Sequence, residues 1–184
     1  MKKVLLATNS EYGQANVFLA AGHALQAADS DVQIHFASFA AIAKDVSSAS
    51  RYSTECTPGA QPWDFHELDG MSFWNMLAAQ DGADELGKAL NKRLTFFSVI
   101  EVLSHVMPLL LPWNETEFVR IYQSFVRLVD ELQPDIIVVD SLFSPVLTAC
   151  RRLELKHLVL SPNTLKDFAT ALQPWGAMFW KFPV

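Results

Sequence analysis

The chain has 184 residues, of which 51% are hydrophobic and 18% charged, and its formal net charge is −6. That length suits one domain, and that apolar content buries a substantial core and argues against disorder. The negative charge, with Lys92-Arg93 and Arg151-Arg152 only as isolated basic pairs, argues against a nucleic-acid or anionic-membrane binder.

Val4 to Ala7 is an unbroken apolar run and reads as a central parallel strand. Asn9, Ser10 and Gly13 end it. A helical pattern follows from Gln14, with Val17, Ala20, Ala21, Ala24, Leu25 and Ala28 at three- and four-residue steps. Val32, Ile34 and Phe36 alternate with Gln33 and His35 as a second strand. Ala40 to Ser50 reads as a short helix, and Ser53 to Trp63, with Pro58, Gly59 and Pro62, as a loop. Asp64 to Leu68 is a third strand, and Gly70 to Leu86 a loop with broken helix. Lys88 to Met107 and Glu115 to Gln133 read as longer helices. The second carries an apolar stripe of Phe118, Ile121, Tyr122, Phe125, Leu128, Val129 and Leu132.

Ile136 to Val139 is the strongest strand pattern, and Asp140 follows it. Ser144-Pro145 opens a helix through Leu153, and His157 to Leu160 is a further strand. Thr164 to Leu172 reads as helical, and the Trp- and Phe-rich end QPWGAMFWKFPV shows no clear element. Strands alternating with helices predict an α/β domain with a parallel sheet. In such a sheet the turn after the first strand and the acid after Val139 emerge at one edge, where ligands bind.

Cys56 and Cys150 form neither a disulfide framework nor a zinc motif. The basic start has too short an apolar run for a signal peptide. The stretch from Val99 to Leu111 is too short and too polar to span a bilayer. A soluble cytoplasmic protein without a transmembrane segment is the expectation. No G-x-G-x-x-G, P-loop or G-x-S-x-G occurs. His23, His35, His66, His105 and His157 show no metal spacing, so no metal site is expected. A flavodoxin-like domain is a weaker alternative, without a cofactor motif to support it.

The segment KVLLATNSEYGQANVFLAAGHAL resembles the first strand-loop-helix unit of the UDP-glucosyltransferase-type enzymes. IIVVDSLFSPVLTACRRLELKHLVLSPNT resembles their later strand-Asp-helix-strand unit. SPNTLKDFATALQPWGAMFWKFPV looks like the fungal branch of that family. The resemblance implies one half of a GT-B architecture: a Rossmann-like parallel sheet with helices on both faces. Residues 1–184 would form a single N-terminal acceptor-binding domain, with the donor-binding domain absent. The implied activity is inverting transfer of a hexose from a UDP-sugar co-substrate to a hydroxyl of an apolar small molecule. The chain alone would bind no cofactor.

In the family a His after the loop glycine removes the acceptor proton, and a carboxylate at the later strand end orients it. Asp140 falls on the carboxylate position and Gln14, after Gly13, on the base position. A glutamine amide has no useful basicity. The implied catalytic positions are therefore Asp140 and Gln14, and the implied substrate-binding positions are Ser10, Gly13 and His105. Each also has a bland reading. Gly13 permits a tight turn, Gln14 starts a helix, Asp140 caps one, and Ser10, Glu11 and Asn16 are turn or capping residues. Trp74, Trp113, Trp175 and Trp180 line an apolar pocket or simply pack. The departure at Gln14 leaves a second reading open, a truncated, non-catalytic ligand-binding or partner-dependent module. The half architecture predicts no turnover by the chain alone. It also predicts pairing with a donor-domain chain, or self-association through an exposed wall.

Overall fold

A computed structural model of the chain describes residues 2–79, 87 and 111–162. Five strands form one parallel sheet in the order β3-β2-β1-β4-β5. They are β1 (Lys2–Ala7), β2 (Val32–Ser38), β3 (Asp64–Glu67), β4 (Ile136–Asp140) and β5 (His157–Leu160). The described helices are α1 (Tyr12–Ala28), α2 (Ala43–Cys56), α3 (Phe73–Ala79), α4 (Glu115–Leu132) and α5 (Ser144–Arg152), with a 3-10 turn at Ala40–Ile42 before α2.

The central strands β1, β2 and β4 are covered on both faces, as in parallel sheets generally, whereas the edge strands β3 and β5 are partly exposed. On one face Val4, Leu6, Ile34 and Phe36 pack with Ala15 and Phe18 of α1, Val46 of α2 and Trp63. On the other, Leu5, Ala7, Ala37, Ile137 and Val139 pack with Ile121, Phe125 and Val129 of α4 and Val146, Ala149 and Cys150 of α5. The predicted stripe of α4 is the observed one. Its ends are also legible: the Asn114 side chain accepts from the Glu117 N–H at 2.9 Å. Gln133 closes the helix in the left-handed region at φ 49°, directly before Pro134.

Two expectations are corrected. The buried residues of α1 are Ala15, Phe18, Gly22 and Gln26, whereas Val17 and Leu25 are exposed. Alanines set the apparent stripe, and a run of small residues carries little information about which face is buried. The real contact turns on Gly22, where a Cβ would lie 2.8 Å from the Trp63 ring. Gln26 belongs to the same contact because its Oε1 accepts from the Trp63 indole N–H at 2.6 Å and from the Ser53 hydroxyl at 2.8 Å.

The second helix also runs later than predicted, to Cys56, because Val46, Ser50 and Ser53 give it a buried face that its polar composition obscures. Within the Gly70 to Leu86 segment, α3 occupies Phe73–Ala79. The predicted helices at Lys88 to Met107 and Thr164 to Leu172 lie outside the described residues.

Strand β2 is buried along its whole length, Gln33 and His35 included. Buried polar groups need partners. The Gln33 amide donates to Pro62 O at 2.9 Å and Asp64 Oδ2 at 3.0 Å. His35 Nδ1 lies 3.1 Å from His66 Nε2 and 3.4 Å from Asp64 Oδ2. Burial pushes both imidazoles below their ordinary value of 6.5, while the Asp64 carboxylate pulls both upward. Between β3 and α4 a cleft of about 430 Å³ is lined by His66, Ser124, Arg127, Glu131 and their neighbours. Arg127 crosses to Asp69 at 2.7 Å.

Candidate functional site

Strands β1 and β4 are neighbours, with Ala7 opposite Val139. From β1 the chain turns into α1 on one face of the sheet, and from β4 into α5 on the other. This is the topological switch point of a doubly wound sheet, where the carboxyl ends of the strands leave a crevice. The sequence motifs at Ser10 to Gln14 and at Asp140 both belong to this edge.

Asp140, the last residue of β4, is fully buried. Its Oδ2 accepts from the Thr8 hydroxyl at 3.1 Å and its Oδ1 from the Leu142 N–H at 2.9 Å. Burial pushes its carboxyl above the ordinary 3.8, against the pull of the Leu142 N–H, the Thr8 hydroxyl and the Asn9 N–H. Asp140 is therefore not a helix cap. The N-cap of α5 is Phe143, with no side-chain cap bond. The acid instead fastens the β1–α1 loop to the β4–α5 turn.

That loop is fastened on its far side as well. Asn9 is 1% exposed. Its Oδ1 accepts from the Ser10 N–H at 2.9 Å and the Phe73 N–H at 3.4 Å. Glu11 is the N-cap of α1 without capping it. Its half-buried carboxyl is raised by desolvation, against the pull of the Trp74 N–H. In the first turn of α3 the Phe73 N–H goes to Asn9 Oδ1 and the Asn75 N–H to Ser72 Oγ, at 3.4 Å each. Tyr12, Met71, Trp74 and Leu111 are exposed apolar side chains.

Gly13 and Gln14 lie within the first turn of α1, not in a turn before it. Among the described residues the glycines with positive φ are Gly59 and Gly70, so the tight-turn reading of Gly13 is corrected. Among the described residues, no atom outside its own helical backbone and chain neighbours lies within 4 Å of a Cβ built at Gly13, which leaves space in front of the backbone. Gln14 is half-buried, and its Oε1 is buried without a hydrogen-bond partner. Ser10 is half-buried beside Asn9. Asn16 is exposed on α1. Trp113 is buried and donates to Met71 O at 2.9 Å, while Trp74 is 52% exposed. His105, Trp175 and Trp180 lie outside the described residues.

Reading the sequence alone overlooks Thr8 and Asn9, the residues that tie Asp140 to the loop. The available signal was a polar pair directly after a buried strand that pairs with a strand ending on an acid. Among the described residues no group of three or more His, Cys, Asp or Glu side chains is placed to hold a metal ion. No helix among them is long and apolar enough to cross a membrane.

Comparison with known proteins agrees with this geometry. No protein-family model matches the chain. The chain is 25% identical to glycosyltransferase sdnJ of Sordaria araneosa over 199 residues, an alignment that takes in 98% of this chain and 36% of that protein. The glycosyltransferase SsfS6 of Streptomyces sp. SF2575 superposes with a TM-score of 0.58 at 12% identity, covering 88% of this chain and 39% of SsfS6. VinC, solved in complex with dTDP, gives a TM-score of 0.55 at 14% identity, covering 96% of this chain and 36% of VinC. The calicheamicin glycosyltransferase CalG4 gives 0.54 at 14% identity. The chain thus spans little more than a third of the length of these proteins. Its fold is one Rossmann-like half of a GT-B architecture, as the sequence resemblance implied.

Proposed function

We propose, from the premise that this chain is a glycosyltransferase-like domain resembling the N-terminal domain of UDP-glycosyltransferases, that it is the acceptor-binding half of an inverting hexosyltransferase. Its acceptor is an apolar small molecule with a free hydroxyl, and its co-substrate a UDP-sugar held by a donor-binding half. The observation that carries this reading is the fastening of the β1–α1 loop by Asp140 at the switch point. It supports the view that this crevice is the built site of the domain.

In this reading the acceptor enters over the first turn of α1. Gly13 leaves its backbone open to close approach, and Ser10 and Gln14 contact the hydroxyl end. Exposed Tyr12 and Trp74 supply apolar surface. Asp140 is fully buried, so it serves as a positioning group that acts through Thr8 and Asn9. The acceptor hydroxyl must lose a proton as it attacks the sugar. Gln14 has no basicity to take it, and Asp140 lies beneath the loop. The base therefore comes from outside this set, and His105 is the candidate that the family resemblance supplies. A cytoplasmic setting suits the free thiols of Cys56 and Cys150. A partner-dependent binding module without catalysis is the second reading, favoured specifically by glutamine at the base position.

Two measurements test the proposal. The chain binds a hydroxylated aromatic probe such as 2-naphthol saturably, and Gly13→Phe abolishes that binding with an unchanged circular dichroism spectrum. Incubated with UDP-glucose and 2-naphthol, the chain alone forms no glucoside. Failure of the chain to bind the probe, or undiminished binding by Gly13→Phe, overturns the acceptor-site assignment.

A further inference from the structure

Folded proteins rarely leave a buried hydrogen-bonding atom unpaired, and an exception calls for an explanation. Of five such side-chain atoms among the described residues, three lie on the segments that surround Asp140. They are Asn9 Nδ2 in the β1–α1 loop, Gln14 Oε1 in the first turn of α1 and Ser144 Oγ at the start of α5. One is a donor, one an acceptor and one can be either.

Asn9 is the most constrained of the three. Its Oδ1 takes two backbone N–H groups, from Ser10 at 2.9 Å and from Phe73 at 3.4 Å. Those two bonds assign the amide's orientation, because a flipped amide would set NH2 against two donors. The preceding residue, Thr8, is tied by its hydroxyl to the Asp140 carboxylate at 3.1 Å. Nδ2 is left as a fixed donor, buried and without a partner, in the loop at the switch point.

We infer that Asn9 is an acceptor-binding residue, its Nδ2 donating a hydrogen bond to the hydroxyl oxygen of the bound acceptor. This rests on the acceptor-site reading above and adds to it the residue that selects a hydroxyl over a bare apolar ring. A site built around an otherwise unpaired polar group discriminates against a ligand that leaves it unpaired.

The test compares 2-naphthol with naphthalene on the whole chain. Wild type binds 2-naphthol about tenfold more tightly, as a good hydrogen bond to a buried polar group allows. Asn9→Asp keeps an oxygen for the Ser10 and Phe73 N–H groups and removes the donor. Its preference for 2-naphthol over naphthalene falls to about one. If that variant does not fold, ¹⁵N-asparagine labelling of wild type reads the same contact, because the Asn9 side-chain NH2 signal shifts with 2-naphthol and not with naphthalene. Retained preference in Asn9→Asp, or an unmoved NH2 signal while 2-naphthol binds, overturns the role of Asn9 and leaves the acceptor site standing. Binding of neither probe overturns both.

Discussion

Replacing Asp140 separates its structural duty from its place in the site. The carboxylate accepts two hydrogen bonds, from the Thr8 hydroxyl and the Leu142 N–H. In Asp140→Ala the Thr8 hydroxyl keeps an alternative acceptor, Asn9 O at 3.2 Å. The Leu142 N–H keeps none in the hydrogen-bond pattern seen here. At about 1–3 kcal/mol for a buried unsatisfied donor, the loss is of that size, reduced by the relief of a desolvated charge. Asp140→Asn keeps one oxygen for the backbone donor, and the Thr8 hydroxyl turns to accept from the new amide. Its cost at neutral pH is about 1 kcal/mol or less.

The pH dependence adds a second signature. The folded pKa of Asp140 is raised above 3.8, so the native state holds the proton where the unfolded chain has released it. Its contribution is present below 3.8 and lost as pH rises through the folded value. Asp140→Asn removes that loss, so the variant gains on wild type as pH rises from about 4. Urea unfolding followed by tryptophan fluorescence, at several pH values, reads both effects. Equal stability of the Ala and Asn variants at pH 7 would refute the hydrogen-bond accounting, and a pH-independent difference between Asn and wild type would refute the burial argument.

Three further outcomes are expected. Gly22→Ala places a methyl 2.8 Å from the Trp63 ring and 3.2 Å from Leu6. It costs about 1–3 kcal/mol in urea unfolding, whereas Gly13→Ala, with open space around it, is neutral or stabilising by up to about 1 kcal/mol. His35 and His66 are held below 6.5, so the unfolded chain binds protons first, and stability falls as pH drops below about 6.5. His35→Gln flattens that fall in pH-resolved thermal unfolding, and an unchanged slope would contradict the burial of the pair. The exposed Tyr12, Met71, Trp74 and Leu111 give concentration-dependent association in sedimentation velocity, and a single monomer boundary over a wide concentration range would count against an exposed partner-facing wall.

The sequence-based reading succeeded where one face of an element had one chemistry. Helix α4 carries large apolar side chains at its buried positions Ile121, Phe125 and Val129, with only Ser124 departing, so its stripe, its Asn114 cap and its Pro134 stop were all readable. β1 and β4 were readable as apolar runs because both faces of the sheet are covered. The failures share a cause. In α1 an alanine-rich surface imitates an apolar face, while a glycine and a glutamine make the real contact. In α2 buried serines look like surface.

The same logic limits what was legible in the site. Asp140 and the first turn of α1 could be brought to one edge by topology alone, since parallel order fixes which strand ends coincide. The way Asp140 acts could not. Its partners are a threonine hydroxyl and a backbone N–H, and neither type stands out in a sequence. Once these partners are known, the roles at this edge divide differently. Asp140 lies beneath the loop and fastens it. Under the proposed acceptor site, the loop carries the groups that face the ligand, and a glutamine where the family resemblance implies a base holds and orients a hydroxyl. On that division, substitutions at Asp140 alter acceptor binding only as far as they loosen Thr8 and Asn9. Asp140→Asn, which keeps the backbone bond, should therefore retain acceptor affinity that Asp140→Ala loses, and equal loss in both would place the charge itself in the binding site.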